Sequence, residues 1–436
     1  MGLPSDDPVV IRAPEKAGEP SVITISCPDK TGLGCDLCRV ILFFGLSIVR
    51  GDVSTDGKWC FILFWVVEGR VRASETRWGL LKKRLLEACP LVSSASEIYD
   101  SYYREQDIME MEKKPQVFLL KFSCYDRMGL LHDVTRVLCE LELTIRRVNV
   151  STTPDGRVMD LFFITDTRIN CRNGSISRLE LTRELLHTKK RKDETCDQLK
   201  AVLGEFITSC DIEHTVEDIT AFLRASSTLP RSITEDMFTL ELPEEPSKAL
   251  LPASNRLSVT MDNSLSPAHT LIQIHCPDHK GLLYDIMRTL KDYNIQISYG
   301  RFYSYQGGEC EVDLFVIQMD GKKIIDPNKQ KALSGRLKMN LFLPLRVALV
   351  NRGPDLELFV ANPVELSGKG RPLVLYDITL ALKMLQIRIF LAEIGRHTIG
   401  DSEWEVYRIL LNDDHFLSSS KNKIVDRVTK MLMGWD

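Results

Sequence analysis

Apolar and polar positions follow two periods along this chain, and the period changes in a fixed order. The stretch "QVFLLKFSC", which begins at Gln116, runs apolar or alternates as a strand does. The next apolar positions recur at the spacing of one helical face, at Leu130, Val134, Val137, Leu138 and Leu141. The segments "LTIRRVNVSTT" and "RVMDLFFITD" then flank the turn "TPDG", which predicts a hairpin. A second helix and a fourth strand follow, so the pattern predicts the order strand, helix, strand, strand, helix, strand.

The junction between the first strand and the first helix recurs along the chain. It reads "CPDKTGLGCDL" at Cys27, "CYDRMGLLHDV" at Cys124 and "CPDHKGLLYDI" at Cys276. The offset that carries Asp29 to Asp126 also carries Gly32 to Gly129, so no insertion interrupts this part of the repeat. A fourth, degenerate copy, "LYDITLALKMLQIRI", matches "LYDIMRTLKDYNIQI" of the third. The chain is therefore an array of four copies, here called copies one to four.

This order of elements is that of the ferredoxin-like, or split βαβ, motif, in which two helices cover one face of a four-stranded antiparallel sheet. The predicted fold class is α+β, with tandem βαββαβ units. The bare sheet edges and faces of such units favour pairing between copies. We place copy one at 19–104, copy two at 115–218, copy three at 268–351 and copy four at 355–436, with a flexible N-terminus (1–18) and an extended or disordered linker (219–267).

Copy four departs from the pattern in two ways. Leu373 stands where copy three has Gly281, and Pro372 lies beside it. The chain reaches Asp436 directly after the second predicted helix, which leaves no residues for a following fourth strand. We therefore expect copy four to be truncated, to cover an edge or face of copy three, and to bind no ligand itself.

The repeated Asp-x-x-Gly-Leu at a strand-to-helix turn inside a βαββαβ unit resembles the ACT domain, an amino-acid-sensing regulatory module. Four copies without an appended enzyme resemble the plant ACT-domain-repeat (ACR) proteins, and the copies are similar to the pair in the bacterial uridylyltransferase that senses nitrogen status. The resemblance implies a non-catalytic regulatory protein that binds free amino acids between paired units and signals to a protein partner. It also makes a homo-oligomer through sheet pairing possible.

A glycine at a helix start lets a ligand approach the backbone, and the unpaired amides of the first turn favour a carboxylate. The resemblance makes an amino-acid α-carboxylate that ligand, with further contacts from the second strand of the paired copy. The candidate residues are Asp29, Thr31, Gly32, Leu33 and Asp52 in copy one; Asp126, Met128, Gly129, Leu130 and Asn149 in copy two; and Asp278, Lys280, Gly281, Leu282 and Arg301 in copy three.

Purely structural interpretations exist for the same residues. Asp29, Asp126 and Asp278 are also suited to cap a helix, and the glycines to form a tight turn. Asp36, Asp133, Asp285 and Asp377 fall in the first helical turn, where a carboxylate complements the helix dipole.

Composition narrows the alternatives. A net charge of −4 gives no field that would gather nucleic acid, and no apolar run is long enough to span a membrane. Twelve cysteines without a secretory leader predict reduced thiols in a cytoplasmic, possibly also nuclear, protein. No metal-ligand spacing, phosphate loop or catalytic constellation stands out, so no metal, cofactor or catalytic residue is predicted.

Two other functions stay open. The copies could form a ligand-free interaction adaptor, in which ACT units pair without binding amino acids. RNA binding is a further alternative, because the RRM shares the βαββαβ order, but "FILFWV" and "DLFFIT" lack its aromatic signature.

Overall fold

In the computed structural model the chain forms two compact units. The first comprises residues 1–111, 241–344 and 433–436, and the second comprises 112–240 and 345–432. The structure describes residues 7–14, 16, 18–69, 77–90, 117–153, 155–166, 186, 188–214, 229–238, 257–353, 355–400, 402–411 and 421–435.

The elements repeat from copy to copy. Copy one contains β1 (Val9–Arg12), β2 (Ser21–Pro28), α1 (Leu33–Phe43), β3 (Leu46–Thr55), β4 (Trp59–Glu68) and α2 (Trp78–Ala88). Copy two contains β5 (Phe118–Tyr125), α3 (Leu130–Glu140), β6 (Leu143–Thr152), β7 (Arg157–Asp166), α4 (Lys189–Leu203) and β8 (Ile207–His214). After the short helix α5 (Arg231–Phe238), copy three contains β9 (Ser258–Asp262), β10 (Thr270–Pro277), α6 (Leu282–Asp292), β11 (Ile295–Ser304), β12 (Glu309–Gln318) and α7 (Pro327–Phe342). Copy four contains β13 (Arg346–Arg352), β14 (Asp355–Pro363), α8 (Val374–Met384), β15 (Ile389–Ile399), β16 (Ser402–Leu411) and α9 (Lys421–Met433).

Each unit is built on one eight-stranded antiparallel sheet that two copies share. The strand orders are β1-β2-β4-β3-β11-β12-β10-β9 in the first unit and β13-β14-β16-β15-β6-β7-β5-β8 in the second. The copies join through their second central strands, β3 with β11 and β6 with β15. Copy one therefore pairs with copy three, and copy two pairs with copy four. The predicted α+β class with antiparallel ferredoxin-like sheets is confirmed.

The edge strands correct part of the sequence analysis. Copy two ends in its edge strand as predicted, since β8 pairs with β5. In the other copies the edge strand precedes its neighbour: β1 pairs with β2, β9 with β10 and β13 with β14. The segment "PLRVALV" was predicted to close copy three, but its strand β13 belongs to the sheet of copy four. Copy four thus has four strands and shares its sheet with copy two, not with copy three.

Two segments predicted to be irregular contain regular structure. Val9 of β1 is fully buried, so residues 9–12 are not part of a flexible N-terminus. The predicted linker contains β9 and helix α5, whose Ile233 and Met237 pack against Phe359 and Trp404 of copy four. These apolar side chains order the segment because they are buried on a sheet face. The segment "ASEIYDSYY", predicted as the fourth strand of copy one, lies outside the described residues.

The first helices of paired copies pack on each other, α1 on α6 and α3 on α8. In the first unit a single apolar cluster runs through both copies, from Ile23 and Ile62 to Leu283 and Val312. Within the described part of the chain, no helix is both long enough and apolar enough to cross a membrane.

Candidate functional site

Copies one to three enter their first helix through a glycine with left-handed backbone conformation. The φ angles are 77° at Gly32, 73° at Gly129 and 81° at Gly281. A residue without a Cβ adopts these angles without steric strain. Leu373 holds the same position in copy four with φ 65°, so the turn keeps its shape there without a glycine. We call residues 29–33, 126–130 and 278–282 the glycine turns.

The glycine turn of copy one is closed. Thr55 Oγ1 donates to Asp29 Oδ2 at 2.7 Å. The stem of Lys291, from the last turn of α6, crosses Gly32 so closely that a Cβ there would lie 2.8 Å from Lys291 Cδ. The ammonium of Lys291 lies 3.4 Å from Asp36 Oδ1. Asp29, which the sequence suggested for a ligand, is therefore already hydrogen-bonded within its own copy.

The glycine turn of copy three is closed by different contacts. Ser304 Oγ donates to Asp278 Oδ2 at 2.5 Å, as Thr55 does in copy one. The backbone N–H of Lys280 donates to the Met433 carbonyl at 2.8 Å. Asp285 behind the turn is 1% exposed and lies 3.6 Å from Arg288 Nη2. Asp278 of this turn is thus also already hydrogen-bonded, whereas the buried Arg288 Nε has no hydrogen-bond partner among the described residues.

Copy two differs, because a pocket opens beside its glycine turn. The pocket encloses about 20 Å³, room for about one water molecule, and it measures about 400 Å³ only when the open solvent at its mouth is counted. Copy two contributes Asp126, Arg127, Gly129, Leu130, Leu131, His132, Val150, Thr152, Val158 and Asp160, and copy four contributes Thr379, Lys383, Ile387, Arg388 and Ile389.

Several buried polar atoms around this pocket have no hydrogen-bond partner among the described residues. Thr152 stands where copy one has Thr55 and copy three has Ser304, yet its buried Oγ1 makes no such bond. Arg127 Nε is likewise buried and unpaired. Burial raises the pKa of Asp126 above its usual value, and the positive charge of Arg388 opposes part of that increase. The hydroxyl of Thr152, which in the other two turns would donate to the aspartate, is thus unpaired in the described structure of copy two.

Asp160 lies on strand β7, on the sheet face that carries the helices. Its side chain lines the pocket, the residue is 1% exposed, and neither carboxylate oxygen has a hydrogen-bond partner in the described structure. Burial raises the pKa of Asp160 well above its ordinary value, and the nearby negative charge of Asp126 adds to the effect. Such a group is costly to bury without a partner.

Asp133 fixes one wall of the pocket by joining the two copies. Its carboxylate lies 2.6 Å from Arg127 Nη2 and 2.7 Å from Lys383 Nζ of copy four. The stem of Lys383 passes over Gly129, where a Cβ would lie 2.7 Å from Lys383 Cδ. Burial acts to raise the pKa of Asp133, but the hydrogen bonds from Lys383 and Arg127 hold it below the ordinary value.

Replacing Asp133 by asparagine is expected to destabilise the second unit by roughly 1–3 kcal/mol at pH 7, because two cations lose their shared carboxylate. A carboxylate whose pKa is lowered on folding stabilises above its unfolded pKa, and that stabilisation is lost as the pH falls through its folded pKa. The difference in free energy of unfolding between Asp133→Asn and the native chain should therefore become smaller below about pH 4. Urea unfolding at pH 7 and pH 3 measures it, and an equal difference at both pH values would contradict the assignment.

The second-strand residues Asp52, Asn149 and Arg301 do not reach the glycine turns, which corrects the sequence analysis. Each second strand has a β-bulge directly after the aligned isoleucine, at Ile48, Ile145, Ile297 and Ile389. The extra residue reverses the alternation of side chains, so Val53 and Val150 face the core while their neighbours face away. Asp52 and Arg301 are instead paired across β3 and β11, with Arg301 Nε 3.9 Å from Asp52 Oδ1.

The remaining predicted residues divide between core and surface. Leu33, Leu130 and Leu282 are buried at the helix starts, and Leu130 also lines the pocket. Thr31 is exposed, and its hydroxyl contacts the Met319 sulfur at 3.9 Å. Met128 accepts a 3.4 Å hydrogen bond from Arg127 Nη1 on its backbone carbonyl. In copy two the predicted Asp126, Gly129 and Leu130 line one pocket together.

The sequence analysis missed Thr152, Asp160, Lys383 and Arg388. A signal for Asp160 was present, since it is the one charged residue within the core-facing series Val158, Asp160, Phe162 and Ile164 of β7. A signal for Lys383 was also present, because Lys291 and Lys383 occupy one repeat position in copies three and four. Their role depends on which copies pair, and the sequence did not predict that.

The fold and the glycine turns define a tandem ACT-domain protein. The family models that match describe an ACR10 N-terminal ACT domain at residues 11–90, an ACT domain at 118–170, an ACR9-like ACT-like domain at 258–355 and an ACR9 C-terminal domain at 356–434. The chain belongs to the plant ACR family of ACT-domain-containing proteins.

Curated relatives support the same assignment over the whole length. ACR10 of Arabidopsis thaliana is 55% identical over 436 residues, and ACR9 of the same plant is 51% identical over 439 residues, each with 100% of both chains covered. A bifunctional uridylyltransferase/uridylyl-removing enzyme of Azospirillum brasilense is 36% identical over 80 residues, which is 18% of this chain and 8% of that enzyme. The solved aspartate kinase of Synechocystis covers 98% of this chain and 55% of its own at 16% identity, but the TM-score of 0.16 is too low to indicate a shared overall structure.

Proposed function

We propose that this chain is a non-catalytic regulatory protein that binds a free amino acid in the pocket between copies two and four, and that the bound state is read by a protein partner. The observation that carries the proposal is the set of buried, unpaired polar atoms around that pocket, on Arg127, Thr152 and Asp160. Buried polar groups in native proteins are nearly always paired, so this set is complete only with a polar ligand or water.

A carboxylate fits the end of the pocket at the start of helix α3. No side chain among the described residues caps the first turn of this helix. Its unpaired amides and the positive end of its dipole favour an anion. Arg127 Nε and the exposed Arg388 add positive charge to the same region. Thr152 supplies a hydroxyl that can donate or accept.

A ligand-free pairing function fits the first unit better. In its glycine turns the carboxylates of Asp29 and Asp278 already accept hydrogen bonds from Thr55 and Ser304, whereas the lysine stem over the glycine is common to copies one and two. We therefore infer that the first unit has a structural or partner-binding role and that the chain binds one amino acid, in the second unit.

Isothermal titration of the full chain with each of the twenty protein amino acids tests the proposal. At least one amino acid should bind with a stoichiometry of one per chain. Gly129→Ala should weaken that binding by about tenfold or more, since a methyl group would displace the Lys383 stem that forms the pocket wall.

Gly32→Ala is the matched control. It introduces the same strain and the same contact with a lysine stem, but beside a closed turn. Its affinity for the amino acid should stay within about twofold of the native value. Absence of binding for all twenty amino acids would favour the adaptor function, and equal losses in both variants would remove the assignment to copy two.

A further inference from the structure

One core position of the third central strand carries a carboxyl group in copy two alone. The strand is β4 in copy one, β7 in copy two and β12 in copy three. The cross-strand pairs Cys27–Cys60, Cys124–Val158 and Cys276–Cys310 align these three strands with one another. Two residues further along, the buried residue is Ile62, Asp160 and Val312, respectively. The equivalent residue of copy four, aligned through the pairing of β15 with β16, is Tyr407. An apolar residue satisfies the fold at this position, so the carboxyl group is not needed for folding.

The surroundings of Asp160 give its carboxylate no internal partner. It pairs across the sheet with Phe122 on one side and Val150 on the other. The charged or titratable groups that line the same pocket are Asp126, Arg127, His132, Lys383 and Arg388. Arg127 and Lys383 are bound to Asp133, and burial lowers the pKa of His132 to about 4, so that this ring is neutral at pH 7. No described cation is placed to neutralise Asp160.

The pocket is therefore dipolar. Asp160 lies on the sheet side, whereas the start of α3, Arg127 and Arg388 supply positive charge at the other side, where Asp126 of the glycine turn lies beside Arg127. A zwitterion matches this distribution, because its carboxylate and ammonium groups are held a fixed short distance apart. A simple carboxylic acid would satisfy the positive side and leave Asp160 unpaired.

We propose that Asp160 is the residue that binds the ammonium group of the ligand and makes the pocket of copy two selective for amino acids over other carboxylates. This inference rests on the proposed function. Because burial raises the pKa of Asp160, binding of an ammonium group is coupled to ionisation of this carboxyl group, and a proton is released wherever the empty pocket holds Asp160 protonated.

The test compares native protein with Asp160→Asn, which keeps the size of the side chain and removes its charge. Each amino acid that binds the full chain is titrated beside the 2-hydroxy acid with the same side chain, such as L-lactate beside L-alanine. The native chain should prefer the amino acid by about 100-fold, and Asp160→Asn should lose most of this preference while binding the hydroxy acid with nearly native affinity. At a pH where the empty pocket holds Asp160 protonated, titration in phosphate and in Tris should show proton release for the native chain and none for the variant.

The outcomes separate the two proposals. If no amino acid binds the native chain, the proposed function fails and this inference falls with it. If amino acids bind and Asp160→Asn keeps the preference for the ammonium group, the proposed function stands and the role of Asp160 is refuted. If Asp160→Asn also keeps the native proton release, the proton comes from another group. A cooperative melt of the variant confirms that any loss of binding is not loss of folding.

Discussion

Truncation of the chain after Pro344 is expected to abolish folding of the second unit while the first unit stays folded. The deletion removes β13, β14, β15 and β16, half of the eight strands in the second sheet. It exposes the edge of β6 and the face of α3 that packs on α8, including the buried Leu131 and Thr135. Exposed strand edges and apolar helix faces lead to aggregation, and half of a shared core is too small to hold copy two together.

Hydrogen exchange with mass spectrometry measures this result unit by unit. Peptides from 117–214 should lose protection in the truncated chain. Peptides from 18–69 and 257–342 should keep theirs, apart from the glycine turn 278–282, where the Lys280 N–H loses the Met433 carbonyl. A second truncation, after Gly353, serves as a comparison because it retains β13 without its neighbour β14. Copy two should fail to fold in both truncated chains. Native protection of peptides from 117–214 in either chain would show that copy two folds without copy four.

Replacing Asp160 by valine is expected to stabilise the second unit by roughly 1–4 kcal/mol at pH 7, because an unpaired buried carboxyl group gives way to the apolar type found in copy three. A carboxyl group whose pKa is raised on folding lowers stability as the pH rises from its unfolded pKa to its folded pKa. The advantage of valine should thus be small below about pH 4 and grow as the pH increases. Urea unfolding across that range measures both the sign and the slope.

The reverse substitution in copy three is the matched control. Val312→Asp places the same carboxyl group at the same repeat position of a closed unit, where Val312 is fully buried. It should destabilise the first unit by several kcal/mol, since the new carboxyl group would be buried among apolar side chains of the core. A destabilised Asp160→Val chain would indicate that Asp160 has a structural partner and would contradict its assignment as a ligand-binding residue.

Local pattern predicted what is repeated in this protein. The switch from period two to helical period and back gives the strands and first helices, and the aligned Asp29, Asp126 and Asp278 give the turns. Backbone geometry at these turns is local, so Gly32, Gly129 and Gly281 could be recognised as special positions without knowledge of neighbours. The strand–helix–strand–strand–helix core of each copy followed from the same short-range rules.

Errors arose where a short-range pattern allowed two arrangements. A strand such as β13 can pair with the sheet of the preceding copy or with that of the following copy. Which of the two it joins depends on which sheet has an edge strand free to pair with it. The bulges after Ile48, Ile145 and Ile297 are one-residue insertions. The apolar pattern still predicts a strand there, but the residues after the bulge lie on the opposite face of the sheet from the one the pattern predicts. Asp52, Asn149 and Arg301 were therefore assigned to the wrong face.

The sequence by itself determined the four-copy array, the α+β class and the glycine turns, because each depends on residues close together in the chain. Tertiary structure decided which copies pair and which turn is open. Lys291 covers Gly32 and Lys383 covers Gly129 only because second strands of distant copies join edge to edge. The open site exists where Thr152 and Asp160 meet copy four without internal partners, and that is a property of long-range packing, which no local pattern encodes.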